Sequence, residues 1–172
     1  MRNSDISSEN TPFKSLQNNP EFLDGLLSNI SSCVLILNKE LKLTCFNDAI
    51  RTIFSNKPDE DLLYRRCGEA IGCAASVDEM KDCGTTSKCC HCALRKAGLM
   101  TYATGEAVYK KRISKEFYRH SGNKELKHLQ FSTRLVPVED EKYVMVVVED
   151  ITPLLNQRME LEHLKGQLPT AS

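Results

Sequence analysis

Six of the eight cysteines, Cys67, Cys73, Cys83, Cys89, Cys90 and Cys92, fall within 26 residues of a 172-residue chain, where an even spread would place about one. No other feature constrains the chain as strongly, because whatever fold forms has to accommodate these thiols close together. Their chemistry depends on compartment. The first thirty residues are polar up to Phe22 and show neither an apolar signal centre nor a small-residue cleavage site. The longest apolar runs, 33–37 and 143–148, are far short of the roughly 20 residues that a membrane-spanning helix needs. A cytoplasmic protein with no membrane partner is expected, and in a reducing compartment clustered thiols hold a metal or sense oxidants rather than form permanent disulfides. Covalent c-type haem is not expected, since it needs CxxCH and the sequence reads Cys89-Cys90-His91-Cys92.

The remainder of the chain reads as one modest α+β unit. Hydrophobic residues make up 41% of it and charged residues 27%, enough apolar material for a core and too little charge for wholesale disorder. Residues 1–18 are rich in Ser and Asn without an apolar period and are expected to be a flexible N-terminal segment. Asn19-Pro20 then supplies a cap and a first helical residue, followed by Leu23, Leu26, Leu27 and Ile30 at helical spacing. CVLILN (33–38) and LKLTCFN (41–47) predict a hairpin, with Cys33 and Cys45 as small buried hydrophobes within it. Ile50, Ile53 and Phe54 predict a short helix over 48–55, and a longer one, starting at Cys92, is expected to end near Gly105. Three strands follow at 108–117, 127–136 and 142–151, joined by Gly122-Asn123 and by Glu139-Asp140-Glu141. Thr152-Pro153 opens a last helix with Leu154, Leu161 and Leu168 seven apart, Leu164 between the last two, and the polar Gln157 in the matching place one heptad earlier, a weak coiled-coil seam.

This order of elements, the hairpin VLILNKELKLTCFN running into NDAI, and the closing Glu149-Asp150-Ile151-Thr152 before a leucine-bearing helix resemble a PAS domain, the sensory module of bacterial signalling proteins. The resemblance covers about residues 22–165, and it implies a five-stranded antiparallel sheet with helices on one side. In domain terms it implies a PAS unit over 19–152, with its cysteine cluster at 67–92, and a signalling helix and tail over 153–172. The closing triplet looks like the Asp-Ile-Thr signature that hands over to a signalling helix, giving Asp150 and Thr152 the role of signal transmission by fixing the angle of exit. CGEAIGC followed by CGTTSKCCHCALRKA is similar to a cysteine-bearing subset of PAS proteins with the pattern GEAxGC, CGT and CxxCxLR.

That pattern selects Cys73, Cys83, Cys89 and Cys92 as cofactor-binding and metal ligands and leaves Cys67 and Cys90 as spare thiols. Four thiolates suit tetrahedral zinc or an iron–sulfur cluster, most simply a 4Fe-4S cluster. Structural zinc sites use two close pairs, and only Cys89 and Cys92 form one here. Dispersed ligands favour the cluster; zinc and metal-free thiol or disulfide switching stay open. His91 lies inside the CxxC, but loop neighbours of this kind point away from the metal. Arg95 and Lys96 can offset thiolate charge or donate to sulfur, or simply line a solvated helix face.

Two other features carry less. Lys110, Lys111, Arg112, Lys115, Arg119, Lys124 and Lys127, with Phe117 and Tyr118 interleaved, look like a nucleic-acid surface, yet an exposed strand pair reads the same way. Since 23 basic residues balance 23 acidic ones, nucleic acid is disfavoured as a partner. His163 on the last helix lacks the surroundings of a phosphoacceptor. No phosphate loop or nucleophile elbow occurs, and no enzymatic activity is expected. The expected function is a PAS sensor of redox state or a diatomic gas, homodimeric and signalling to a separate transmitter such as a kinase or regulator. The rivals are a zinc-stabilised adaptor that senses nothing and a receptor for a small molecule.

Overall fold

The computed structural model describes residues 19–54 and 62–166. The expected flexible segment 1–18 and the heptad position Leu168 lie outside the described residues. Helix α1 (Pro20–Asn29) begins as its sequence dictates, with the Asn19 side chain accepting from the Phe22 amide at 3.0 Å and Pro20 at the first helical position. Strands β1 (Cys33–Leu37) and β2 (Leu43–Phe46) form the hairpin. Its second strand starts two residues later than the apolar run implies. Leu41 takes a positive φ of 58°, and the Asn38 carboxamide accepts from the Glu40 and Lys42 amides to close the turn.

After α2 (Ala49–Phe54) come the short helices α3 (Cys67–Ala70) and α4 (Ala74–Glu79), then a single 3₁₀ turn (Cys89–His91) and the longer α5 (Ala93–Thr104). Gly105 ends α5 in the left-handed region at φ 78°. Strands β3 (Val108–Tyr118), β4 (Lys124–Val138) and β5 (Glu141–Asp150) then run as a meander into α6 (Thr152–Gly166). β4 is longer at both ends than the run 127–136, because pairing with β3 and β5 carries the strand into its turns.

The five strands make one antiparallel sheet in the order β2-β1-β5-β4-β3. The closing strand therefore lies at the centre, beside the opening one. Alternation selects the inner face: Cys33, Leu35 and Leu37 pair with Val148, Val146 and Val144, and Leu129, Phe131 and Thr133 continue the buried rows on β4. Against this face pack α2, α3 and α5, with Phe54 and Phe117 edge to face at 5.2 Å between ring centroids. Cys33 is fully buried, as expected, and burial pushes its thiol up to about 12. Cys45 is not: it is exposed, because its register partner is Ile36 and both point away from the inner face of the sheet. No helix among the described residues is long and apolar enough to cross a membrane.

Candidate metal centre

The segment between the two halves of the sheet folds back over the end of β3 and builds a small enclosed space. Cys67, Cys73, Cys83, Cys89 and Cys92 all line one cavity of about 30 Å3, with Arg95, Lys115 and Phe117 in the same wall. The four cysteines selected from the sequence thus share one cavity, and Cys67, set aside as spare, is a fifth member of its lining. Cys90 and His91 are exposed; the Cys90 thiol donates weakly to the Ser87 carbonyl at 3.5 Å.

Several residues between 66 and 95 have a mechanical task here. Gly68 permits a close approach, since a Cβ at that position would stand 2.6 Å from the Cys83 sulfur. Burial raises the Cys83 thiol, and a hydrogen bond from the Gly68 backbone N–H offsets only part of that rise. Glu69 accepts from the Cys83 amide at 2.9 Å, while Arg66 donates to the Cys83 carbonyl at 2.8 Å, so the Cys83 peptide is clamped from both sides. Gly72, at φ 69°, turns the chain so that Cys73 can meet β3, where the Tyr118 amide donates to the Gly72 carbonyl at 2.8 Å. Gly84, at φ 109°, donates its amide to the Cys89 sulfur at 3.1 Å and lies against the Arg95 guanidinium. Cys92 precedes the first residue of α5, and one turn into that helix Leu94 joins the core while Arg95 faces the cavity.

The electrostatics differ from sulfur to sulfur: burial holds the Cys83 thiol above its ordinary value, while Cys89 is held below it. Burial would raise the Cys89 thiol, but hydrogen bonds with the Thr86 hydroxyl at 2.9 Å and from the Gly84 amide outweigh it and hold the thiol below its ordinary value. Lys115 donates to the Cys92 sulfur at 3.3 Å. Burial by itself would lower this ammonium, yet the Cys73 and Cys92 sulfurs raise it. Cys67 differs: burial, then the neighbouring Cys83 and Cys92, push its thiol strongly upward, the behaviour of an inert buried thiol. The Arg95 Nη1 atom is buried with no hydrogen-bond partner among the described residues, a costly arrangement unless an acceptor arrives. Four thiols, amide donors on two of the sulfurs, one ammonium and one unsatisfied guanidinium nitrogen are a donor set that fits a thiolate-bound anionic centre.

The thiols are dispersed along the wall. Among the described residues no group of three or more His, Cys, Asp or Glu side chains is placed to hold a single metal ion. A void of about 30 Å3 is also small beside the roughly 300–1,000 Å3 of pockets that enclose small organic ligands. A larger group requires the wall to yield; the 81–92 segment carries Cys83, Cys89, Cys90 and Cys92 with no strand and one 3₁₀ turn.

The basic stretch of 110–127 divides in the structure. Lys115 and Lys127 point inward, Lys127 to the Asp150 carboxylate at 2.8 Å. Lys124 pairs with Asp78 at 2.6 Å and Arg119 with Glu125 at 2.6 Å, so four of the seven cations are bound within the chain. Lys96 is exposed, on the opposite course from Arg95. Asp150 and Thr152 do meet at the joint between β5 and α6. Asp150 accepts from the Thr152 amide at 3.0 Å, and the Thr152 hydroxyl accepts from the His128 amide at 2.8 Å.

No protein-family model and no curated protein matches the sequence. Among solved structures the fold is that of PAS domains. The PAS domain of nitrogen regulation protein NR(II) from Vibrio parahaemolyticus aligns over 75% of this chain and 97% of its own, with a TM-score of 0.55 at 14% identity. The PAS domain of Bordetella pertussis BvgS covers 86% of this chain and 97% of its own, with a TM-score of 0.50 at 20% identity. An RNA-binding light-oxygen-voltage receptor covers 96% of this chain and 40% of its own, with a TM-score of 0.56 at 17% identity.

Proposed function

With a PAS fold as its scaffold, we propose that this protein is a sensor in which Cys73, Cys83, Cys89 and Cys92 hold an iron–sulfur cluster reporting redox state or a diatomic gas, and that Asp150, Thr152 and α6 pass the result to a partner protein. The observation that carries the reading is the convergence of the four thiols with an unpartnered, buried Arg95 nitrogen on one cavity. When bound, the cluster supplies one-electron chemistry and a reactive target for oxygen or nitric oxide. Everything else is work for the chain. Gly68 and Gly84 direct amides at sulfur, Lys115 and Arg95 balance charge, and Arg66 with Glu69 fix the Cys83 backbone. Dispersed thiols favour a multi-iron group over zinc, which asks for four sulfurs around one point. The output partner is a transmitter such as a kinase or regulator, and α6 with α1 provides the surface for a second copy.

Anaerobic purification followed by iron, sulfide and zinc analysis tests the reading. The protein should be brown, with broad absorption near roughly 400 nm that bleaches in air, as thiolate-bound iron does. Cys73→Ser, Cys83→Ser, Cys89→Ser and Cys92→Ser should each lose the colour, and Cys90→Ser, Cys33→Ala and Cys45→Ala should keep it. Colourless protein carrying one zinc per chain, or no metal at all, would overturn the sensor chemistry.

A further inference from the structure

Where the β1–β2 and β4–β5 turns meet α5 there is a second cleft, of about 530 Å3, which shares no lining residue with the thiol cavity. Its size is within the roughly 300–1,000 Å3 of pockets that take small organic molecules. Three tyrosines from three parts of the chain line it: Tyr64 from the loop before α3, Tyr102 from α5 and Tyr143 from β5. Its charges come as two pairs of opposite sign, the ammoniums of Lys39 and Lys142 and the carboxylates of Asp140 and Glu141. Among the described residues Lys39, Lys142 and Asp140 have no ion pair and no side-chain hydrogen bond, while Glu141 accepts from the Tyr143 hydroxyl. The backbone around the cleft is strained. Leu41, Tyr64 and Glu139, at φ 58°, 62° and 55°, are three of the five described non-glycine residues with positive φ, and each lines the cleft or lies within two positions of a residue that does. For a bulky side chain this region is an outlier, and such strain gathers at ligand clamps. At Tyr64 it is held by the backbone amide, which donates to the Leu43 carbonyl at 2.7 Å, and it presents a ring that is 71% exposed.

We propose that this cleft binds a free aromatic amino acid. Lys39 and Lys142 match its carboxylate, Asp140 and Glu141 match its ammonium, and the tyrosine rings receive its side chain. A ligand with one charge satisfies one pair and sets the other against a like charge, whereas a zwitterion satisfies both. The Tyr143 hydroxyl holds the Glu141 carboxylate in place, and the faces of the tyrosines favour an ammonium as well. Nothing in this recognition depends on the thiols or on metal content.

Titration calorimetry of the full chain with L-phenylalanine, phenethylamine and hydrocinnamate tests the assignment. L-Phenylalanine should bind, and the two analogues should bind about tenfold or more weakly, since each leaves one charged pair of the cleft unmatched. Tyr64→Gly deletes the ring and relieves the positive φ together. It should therefore keep or raise the thermal midpoint while weakening L-phenylalanine by about tenfold, the worth of a good ring contact. Two exposed positions give the charge test without touching the core. Lys142→Met should reduce the preference for L-phenylalanine over phenethylamine, and Asp140→Asn its preference over hydrocinnamate. No binding of L-phenylalanine at millimolar concentration, equal binding of all three compounds, or unchanged affinity in both Tyr64→Gly and Lys142→Met would overturn the proposal. Because iron and sulfide take no part in the readout, failure of the thiol cofactor leaves this result standing, and the reverse.

Discussion

At the scale of single residues the site is built from close approaches. Gly68 stands where any side chain would meet the Cys83 sulfur, so Gly68→Ala should displace Cys83 and lower metal retention. Gly166→Ala, which meets nothing within 4 Å, should leave it unchanged; metal analysis of the two purified variants decides. Arg95 sets up an opposition of effects. Its buried Nη1 has no partner, and an unsatisfied buried polar group costs about 1–3 kcal/mol, more when charged. Arg95→Met should therefore raise the thermal midpoint of metal-stripped protein while making the loaded form lose metal faster. A fall in the stripped midpoint would show that the guanidinium is not strained there. The sequence places Arg95 and Lys96 side by side with equal claims on sulfur. The helical rotation of about 100° per residue sends one into the cavity and the other to solvent.

At the scale of elements, the joint between β5 and α6 is fixed by side-chain bonds from Asp150 and Thr152. Burial by itself would raise the Asp150 carboxyl, but the hydrogen bonds from Lys127 and Thr152 outweigh it and hold it below the ordinary aspartate range. A carboxyl depressed in the folded state contributes stability that is full above its unfolded value, and this is lost as the pH falls through its folded one. The charged groups around it are Lys127 and, through that lysine, Glu125. Asp150→Asn should thus cost most near neutral pH, and its deficit against wild type should shrink as pH falls below the unfolded aspartate value of about 3.9. Denaturant midpoints at several pH values check the sign. A second connection, the buried hydrogen bond at 2.7 Å between the Thr101 and Thr133 hydroxyls, staples α5 to β4. Thr133→Val leaves Thr101 with its bond to the Glu106 carbonyl and should cost about 1 kcal/mol.

At the scale of the whole molecule, the two terminal helices bury none of their residues. Leu23 and Leu26 on α1, and Leu154, Met159, Leu161 and Leu164 on α6, are all exposed. Apolar faces of this kind are commonly covered by a partner, and two short heptads make a weak seam. Sedimentation should show a concentration-dependent dimer that deletion of 153–172 reduces to monomer. A monomer at every concentration, with or without that segment, would argue against self-pairing through α6. α6 is tied at its first turn to His128 of β4 and has no buried residue.

Much of this was legible in the amino-acid order because it is local. The Asn19-Pro20 start, the Gly105 stop, the turn at Gly122 and the alternation of β1 and β5 are decided within a few residues of one another, by capping, by φ and by side-chain period. The crowding of cysteines was equally plain. What the tertiary structure alone decided is which face each residue takes and whom it meets. Cys45 and Cys33 look alike in their strings, yet sheet register exposes one and buries the other. Cys67 enters the cavity because α3 lies over Cys83, and Lys115 leaves the basic stretch because β3 turns it inward opposite Lys127. The Arg66–Cys83 and Lys115–Cys92 contacts join residues 17 and 23 positions apart in sequence, and Lys124–Asp78 spans 46, distances that the folding of 67–92 against β3 bridges.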